Sequence, residues 1–266
     1  MQTALISGAS SGIGEALAKL FAEGGYQLVL VARTQAKLEA LAQQLSADHS
    51  VQVWVEPADL AKRGAAKKLA ASLAGQGIEI DVLVNNAGVL EHGNFVEIGT
   101  AEHQRMLDLN ISGFTGMLDH FLPPMVDRGR GRVLNVASIA SFQPVPSLAV
   151  YAASKAYVLS LTESLSEELK GSGVSITALC PGVTATNMMS TAQEKSQGLG
   201  KIPDFIIGDV EDVAAQGYKA CLKGEVICVP GMVNLAAAVA GRTVPKWLLR
   251  RVSGIVGRYS AGGSEE

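Results

Sequence analysis

Hydrophobic positions follow two alternating periods along the chain. Short, continuous apolar runs at 3–7, 26–32, 51–55, 81–85, 131–137, 174–179 and 225–229 are bounded by glycine, proline and polar residues, and read as strands. Between them, apolar residues recur at helical spacing over 15–23, 36–45, 61–73, 101–126, 151–169 and 209–222. Strands that are apolar throughout, rather than at alternate positions, suit a sheet buried on both faces. This alternation predicts an α/β, doubly wound parallel sheet of about seven strands with helices on both faces. The 101–126 helix, which contains Asn110, is expected to break near Gly113 and to stop at Pro123-Pro124. Asp209 and the acidic turn behind it suit the dipole at the start of the last of these helices.

Residues 187–207 carry no clear period and are expected to form a long substrate loop. Residues 232–259 are expected to form a helical C-terminal extension. No linker or internal repeat divides the chain, so 1–266 is expected to be a single domain.

Composition narrows the function classes. Of 266 residues, 48% are hydrophobic and 18% charged, enough apolar material for a large core. The net charge of −3 and the dispersed basic residues argue against a nucleic-acid partner. Cys180, Cys221 and Cys228 show no C-x-x-C spacing and read as small buried residues of a reduced, cytoplasmic protein. No signal-peptide pattern is seen, and the most apolar tract, 226–240, is interrupted by Pro230, Gly231 and Asn234 and is too short to span a bilayer.

The candidate chemistry collects just after the strands, where ligands bind in sheets of this kind. The first strand runs into Gly8-Ala9-Ser10-Ser11-Gly12-Ile13-Gly14 and then a helix. Glycines allow a tight turn and close approach of a pyrophosphate, and the helix N-terminus offers unpaired N–H groups to it. The second strand ends in Ala32-Arg33, where an NAD-selective site usually carries an acid. A guanidinium there suits a 2′-phosphate, so NADP(H) is expected, with NAD(H) as the alternative. Asp59-Leu60 follows the third strand, Asn85-Asn86-Ala87-Gly88 ends the fourth, Ser138 follows the fifth, and Pro181-Gly182-Val183-Thr184-Ala185-Thr186 follows the sixth.

Tyr151 and Lys155 are four apart on a helical segment, hence side by side on one face. A phenol titrates near ~10, and a neighbouring ammonium is expected to lower that value so the phenol can exchange a proton with an alcohol or carbonyl oxygen. His49, His92, His103 and His120 belong to no motif and read as structural or solvated.

Together these residues resemble the short-chain dehydrogenase/reductase family over nearly the whole chain. The family's glycine motif is matched by Gly8, Gly12 and Gly14, with Ser7 where Thr is common, and its N-N-A-G by Asn85 to Gly88. Its Ser-Tyr-Lys set is matched by Ser138, Tyr151 and Lys155, and its catalytic Asn by Asn110. Its P-G-x-V-x-T motif falls on Pro181 to Thr186, with Thr184 where Val or Ile is usual. The resemblance implies a Rossmann-type fold in which Tyr151 is acid/base, Lys155 lowers its pKa and bonds the nicotinamide ribose, and Ser138 holds the substrate oxygen. Asn110 would position a relay water, Thr186 would bond the carboxamide and Asp59 the adenine. The hydride passes directly between nicotinamide and substrate, so no metal is implied.

The expected activity is NADP(H)-dependent reduction of a carbonyl or oxidation of a secondary alcohol. A catalytically silent NADP(H)-binding sensor or scaffold is the alternative. Met188, Met189, Leu199, Ile202, Phe205 and Ile206 in the 187–207 loop favour a bulky or apolar substrate. A homodimer or homotetramer is implied, with subunit contacts on the Asn110 and Tyr151 helices. The segment 244–259 mixes apolar and basic residues at helical spacing; packing beside the cleft or at a subunit contact is expected rather than membrane attachment.

Overall fold

A computed structural model describes residues 1–184, 208–245 and Arg251. The expected loop 187–207, Thr186 beside it and, Arg251 apart, the extension beyond Pro245 lie outside the described residues.

In chain order the strands are β1 (Thr3–Ser7), β2 (Gln27–Ala32), β3 (Val53–Pro57), β4 (Val82–Asn85), β5 (Gly131–Val136), β6 (Val174–Leu179) and β7 (Ile227–Cys228). Among the described residues the helices are α1 (Gly12–Glu23), α2 (Gln35–His49), α3 (Ala65–Gly75), α4 (Thr100–Leu107), α5 (Phe114–Asp127), α6 (Ala149–Glu168), α7 (Val210–Lys223) and α8 (Met232–Thr243). A short 3-10 helix, Ile139–Phe142, follows β5.

All seven strands pair in parallel in the order β3-β2-β1-β4-β5-β6-β7. The chain winds outward from β1 to β3, returns across the sheet to β4, and winds outward again to β7. The connections after β1 and β4 therefore diverge, which opens a crevice at the carboxyl ends of these two neighbours. This is a Rossmann-type α/β fold.

The continuous apolar strands are explained by two separate cores. Leu17 and Phe21 of α1, Leu38 of α2 and Val213 of α7 pack with Ile6 and Leu30 on one face. Leu69 of α3, Met117 of α5 and Val158 of α6 pack with Leu5 and Leu83 on the other. Successive residues of β1 thus enter opposite cores, and every position must be apolar or internally satisfied. Asp209 caps α7, its Oδ1 accepting from the amides of Glu211 at 2.9 Å and Asp212 at 3.0 Å.

The largest departure from expectation lies in 101–127. The prolines do not stop the helix: α5 runs through both and ends at Asp127. Pro123 and Pro124 are exposed, while Phe121 and Met125 beside them are buried. Burial of those two side chains, at about 1.5–3 kcal/mol each, holds the last turn despite two missing amide donors. Nor does the chain break near Gly113; it widens into a π-helical turn, Asp108–Gly113, between α4 and α5. The glycine is demanded from outside, since a Cβ on Gly113 would lie 2.4 Å from the Leu60 carbonyl oxygen. Smaller shifts occur at 61–73, where α3 begins only at Ala65, and at 51–55, where β3 begins at Val53.

Gly113→Ala should therefore destabilise the protein by about 2 kcal/mol, although alanine is the better helix former. Urea unfolding should show a lower midpoint with an unchanged slope; an unchanged midpoint would mean that the Leu60 carbonyl is not a fixed obstacle.

Candidate active site

The crevice is closed at its base by Ser7, which is wholly buried at the end of β1. Its hydroxyl donates to the Val84 carbonyl at 3.2 Å and accepts from the amides of Asn86 at 2.9 Å and Ala87 at 3.0 Å. Asn86 answers with its own amide, donating to the Ser7 carbonyl at 2.9 Å. The glycine turn lies directly over this junction. Gly8 and Gly12 have φ of 69° and 59°, and a Cβ on Gly14 would lie 2.3 Å from the Gly8 carbonyl oxygen. Ser10, Ser11, Gly12 and Ile13 keep part of their surface in solvent. The α1 N-cap, Ser11, makes no side-chain bond to the first-turn amides. These donors sit beside the crevice, as a phosphate-bearing ligand requires.

Asn110 is brought to the crevice by the π-turn and is 2% exposed. Its side chain clamps the residue after the Asn85–Gly88 stretch, accepting from the Val89 amide at 2.9 Å and donating to the Val89 carbonyl at 2.8 Å. Its second N–H reaches Ser154 Oγ at 3.2 Å, and that hydroxyl donates to the Tyr151 carbonyl at 2.7 Å. Asn110 thus ties β4 to α6 rather than sitting solvated on a helix. A Cβ on Gly88 would fall 3.3 Å from Asn110 Oδ1 and 3.4 Å from Lys155 Nζ, so only glycine leaves these groups undisturbed.

Ser138, Tyr151 and Lys155 meet at the end of β5. The Ser138 hydroxyl caps the 3-10 helix by accepting from the Ala140 amide at 3.1 Å, and it lies near enough to the Tyr151 phenol to favour its ionised form. Lys155 is 6% exposed and donates to the Val136 carbonyl at 2.8 Å, with its Nζ 5.8 Å from the centre of the Tyr151 ring. Burial lowers the Lys155 pKa to about 8. The Tyr151 phenol is raised by desolvation, partly opposed by the Ser138 hydroxyl. The expected influence of the ammonium on the phenol is therefore not what sets its direction in this arrangement. The ammonium is held by the Val136 carbonyl, and Ser138 is the group that favours the phenolate.

The remaining residues lie along the same rim, after the other strands. The Ile139 amide donates to the Pro181 carbonyl at 2.9 Å, which brings the segment after β6 against Ser138. Gly182 lies under α8, where a Cβ would meet the Asn234 amide at 2.4 Å. Thr184 is buried, donates to the Gly182 carbonyl at 3.1 Å and bridges to Gly208. Leu60 is buried, and Asp59 accepts from the Ala61 amide at 3.3 Å. Arg33, at the end of β2, is exposed and has no ion-pair partner among the described residues. Thr186 lies outside the described residues. Sequence reasoning passed over Ser154 and Ser141, which hold the backbone of Tyr151 and Lys155; Ser141 Oγ donates to the Lys155 carbonyl at 2.8 Å. Ser154 had a signal, a small polar residue three positions after Tyr151 on one helix face.

Comparison with known proteins agrees with this architecture. Residues 2–197 match the family model described as short chain dehydrogenase. An uncharacterized oxidoreductase of Staphylococcus epidermidis is 34% identical over 187 residues, covering 70% of this chain and 80% of its own. Oxidoreductase UcpA of Salmonella typhimurium is 36% identical over 222 residues, covering 82% of this chain and 80% of its own. Among solved structures, a short-chain dehydrogenase from Sphingobium yanoikuyae in complex with NADPH superposes with TM-score 0.80 at 29% identity, covering 100% of this chain and 98% of its own. A 7beta-hydroxysteroid dehydrogenase superposes with TM-score 0.85 at 25% identity, over 95% and 96% of the two chains. The bulky-bulky ketone specific alcohol dehydrogenase from Comamonas testosteroni gives 0.77 at 27%, over 100% and 96%. With the crevice between β1 and β4 and the Ser138, Tyr151 and Lys155 cluster beside it, the matched sequence makes this chain an oxidoreductase of the short-chain dehydrogenase/reductase family.

Proposed function

We propose that this chain transfers a hydride between NADP(H) and the carbon of a carbonyl or secondary alcohol, with Tyr151 as proton donor and acceptor. The observation that carries the reading is the meeting of Tyr151 with the buried Ser138 and Lys155 beyond the carboxyl end of β5. The bound nicotinamide supplies or accepts the hydride. Everything else falls to side chains and backbone of this chain.

In this reading the uncapped amides of α1 and the Gly8–Gly14 turn hold the pyrophosphate, and Arg33 pairs with the 2′-phosphate. Asp59 and Leu60 flank the adenine; Asn86, Ala87, Gly88, Pro181, Gly182, Thr184 and Thr186 line the nicotinamide half. Ser138 orients the substrate oxygen, and Tyr151 gives it a proton during reduction or takes one during oxidation. Lys155 binds the nicotinamide ribose. Asn110 has both N–H donors and one acceptor site in use, which leaves one lone pair on Oδ1 for the relay water expected of it. The neighbours named for a 7β-hydroxysteroid and for bulky ketones support a bulky or apolar substrate. The bound NADPH of the Sphingobium neighbour supports the cofactor. Assembly as a homodimer or homotetramer and a reducing, cytoplasmic setting complete the reading. All three cysteines are unpaired, and burial pushes Cys180 and Cys221 up to about 12.

Tyr151→Phe should lower turnover of ketones with NADPH by about 10²–10⁴-fold while NADPH still binds. Retained turnover would remove the phenol from the proton transfer. Reduction needs the proton on Tyr151, whose raised pKa keeps it there at neutral pH, and the charge on Lys155, which titrates at about 8. Reductive kcat/KM should therefore be flat below that pH and fall above it, whereas oxidation should rise with pH.

Arg33→Ala should weaken NADPH binding by about tenfold or more and leave NADH binding unchanged, measured by fluorescence titration of both cofactors. Equal affinity of the unmodified protein for NADH and NADPH would sink the 2′-phosphate role. Tight NADPH binding without turnover in either direction would favour the silent-binding alternative.

A further inference from the structure

Arg132 puts a charge where the apolar pattern of β5 has no use for one. Residues two apart on a strand share a face, so Arg132 projects on the side of Leu134 and Val136, towards α1 and α7. It is half-buried and stands in register with Ser175 of β6. Its positive charge is felt on that side of the sheet, where it lowers the Tyr26 phenol and the Cys221 thiol against the burial that raises both. Yet among the described residues its guanidinium makes no ion pair and no hydrogen bond.

The groups around it are already matched. Glu79 binds Arg128 and Arg130, each at 2.8 Å. Asp81, 7% exposed, lies 3.5 Å from Arg130 and accepts from the Thr3 amide at 2.9 Å. Glu225 stands 3.6 Å from Lys223. The carbonyls of Ala220 and Cys221 at the end of α7 take the amides of Glu225 and Gly224, not the guanidinium. Three carboxylates thus serve three other cations, and Arg132 is left over. A charge withdrawn from water without a partner is unfavourable, and an anion beside it removes that penalty.

There is room for one. A cavity of about 420 Å³, lined by Gln2, Asp81, Arg130, Arg132, Ser175 and Lys223 among others, opens at the amino-terminal ends of β1, β4, β5 and β6. That is the size of a small-metabolite site. It lies on the rim opposite the candidate active site, since Arg132 is near the start of β5 and Ser138 follows its other end, about 20 Å along the strand.

We propose that this cavity binds a small oxyanion, a phosphate or carboxylate group, paired with Arg132 and held from the sides by Ser175 and Lys223. The bonds to it are charge-assisted, the strong kind in a partly dry place. The site is separate from the cofactor crevice and does not depend on the proposed reaction.

The test is labelling of arginines by phenylglyoxal in the full chain, read at Arg132 by peptide mass. It is run in chloride, inorganic phosphate and succinate at one ionic strength, with and without NADPH. Arg132 should label in chloride and be protected by an anion whether or not NADPH is present; the phosphate and succinate arms tell a phosphate-bearing ligand from a carboxylic acid. Lys223→Glu, at an exposed position, should raise the half-protecting concentration by about tenfold. Labelling of Arg132 that neither anion slows overturns the proposal, as does protection that Lys223→Glu leaves unchanged. An Arg132 that labels in no buffer is sealed within the fold, which overturns it too. Because the readout is Arg132 itself, failure of the cofactor or catalytic reading leaves this result standing.

Discussion

The close approach of two backbone segments at the centre of the sheet governs the rest of the molecule. Where β1 and β4 end side by side, the glycine turn and the Asn85–Gly88 stretch must pass within contact distance without side chains between them. One hydroxyl makes this tolerable: Ser7 donates to one carbonyl and accepts from two amides at the junction. Leaving such groups unmatched costs about 1–3 kcal/mol each, so the junction is stiff. The first turn of α1, left without a side-chain cap by Ser11, begins beside this junction.

The same logic of internal satisfaction runs outward from the junction. Asn110 spends nearly its whole bonding capacity on Val89 and Ser154, and Ser154 passes the restraint to the Tyr151 backbone. Ser141 and the Val136 carbonyl hold Lys155 from either end. A phenol and an ammonium fixed in a poorly solvated place have their titrations moved in opposite directions, up and down, because burial penalises the charged form of each. The chemistry is thus set less by the two residues than by the water that the surrounding serines, glycines and strands exclude.

Helix α8 shows the reverse arrangement, small residues inward and large ones outward. Its packing leaves little room: Gly241 meets Phe142, and Asn234 fills the space over Gly182. With the inward contact made by small residues, Met232, Val233, Leu235 and Val239 on the outward side stay exposed.

The chain by itself determined most of the architecture. Period and continuity of apolar residues were enough for seven parallel strands because a strand buried on both faces must be apolar at every position. The glycine turn, Asn-Asn-Ala-Gly and Ser138 were legible because each lies at the end of a strand, where the topology of an open sheet brings them to one rim, and Tyr151 and Lys155 because they stand one turn apart on the helix after β5. Tertiary structure decided what local pattern does not contain. It carried α5 through Pro123 and Pro124, since Phe121 and Met125 find a core that the sequence does not display. Gly113 sits in a π-turn because the Leu60 carbonyl lies against it. The phenol of Tyr151 is moved upwards rather than down because burial outweighs the influence of Ser138, while the ammonium of Lys155 is held at the Val136 carbonyl. Each of these is an outcome of contacts between residues far apart in the chain, and proximity of that kind is created only when the chain folds.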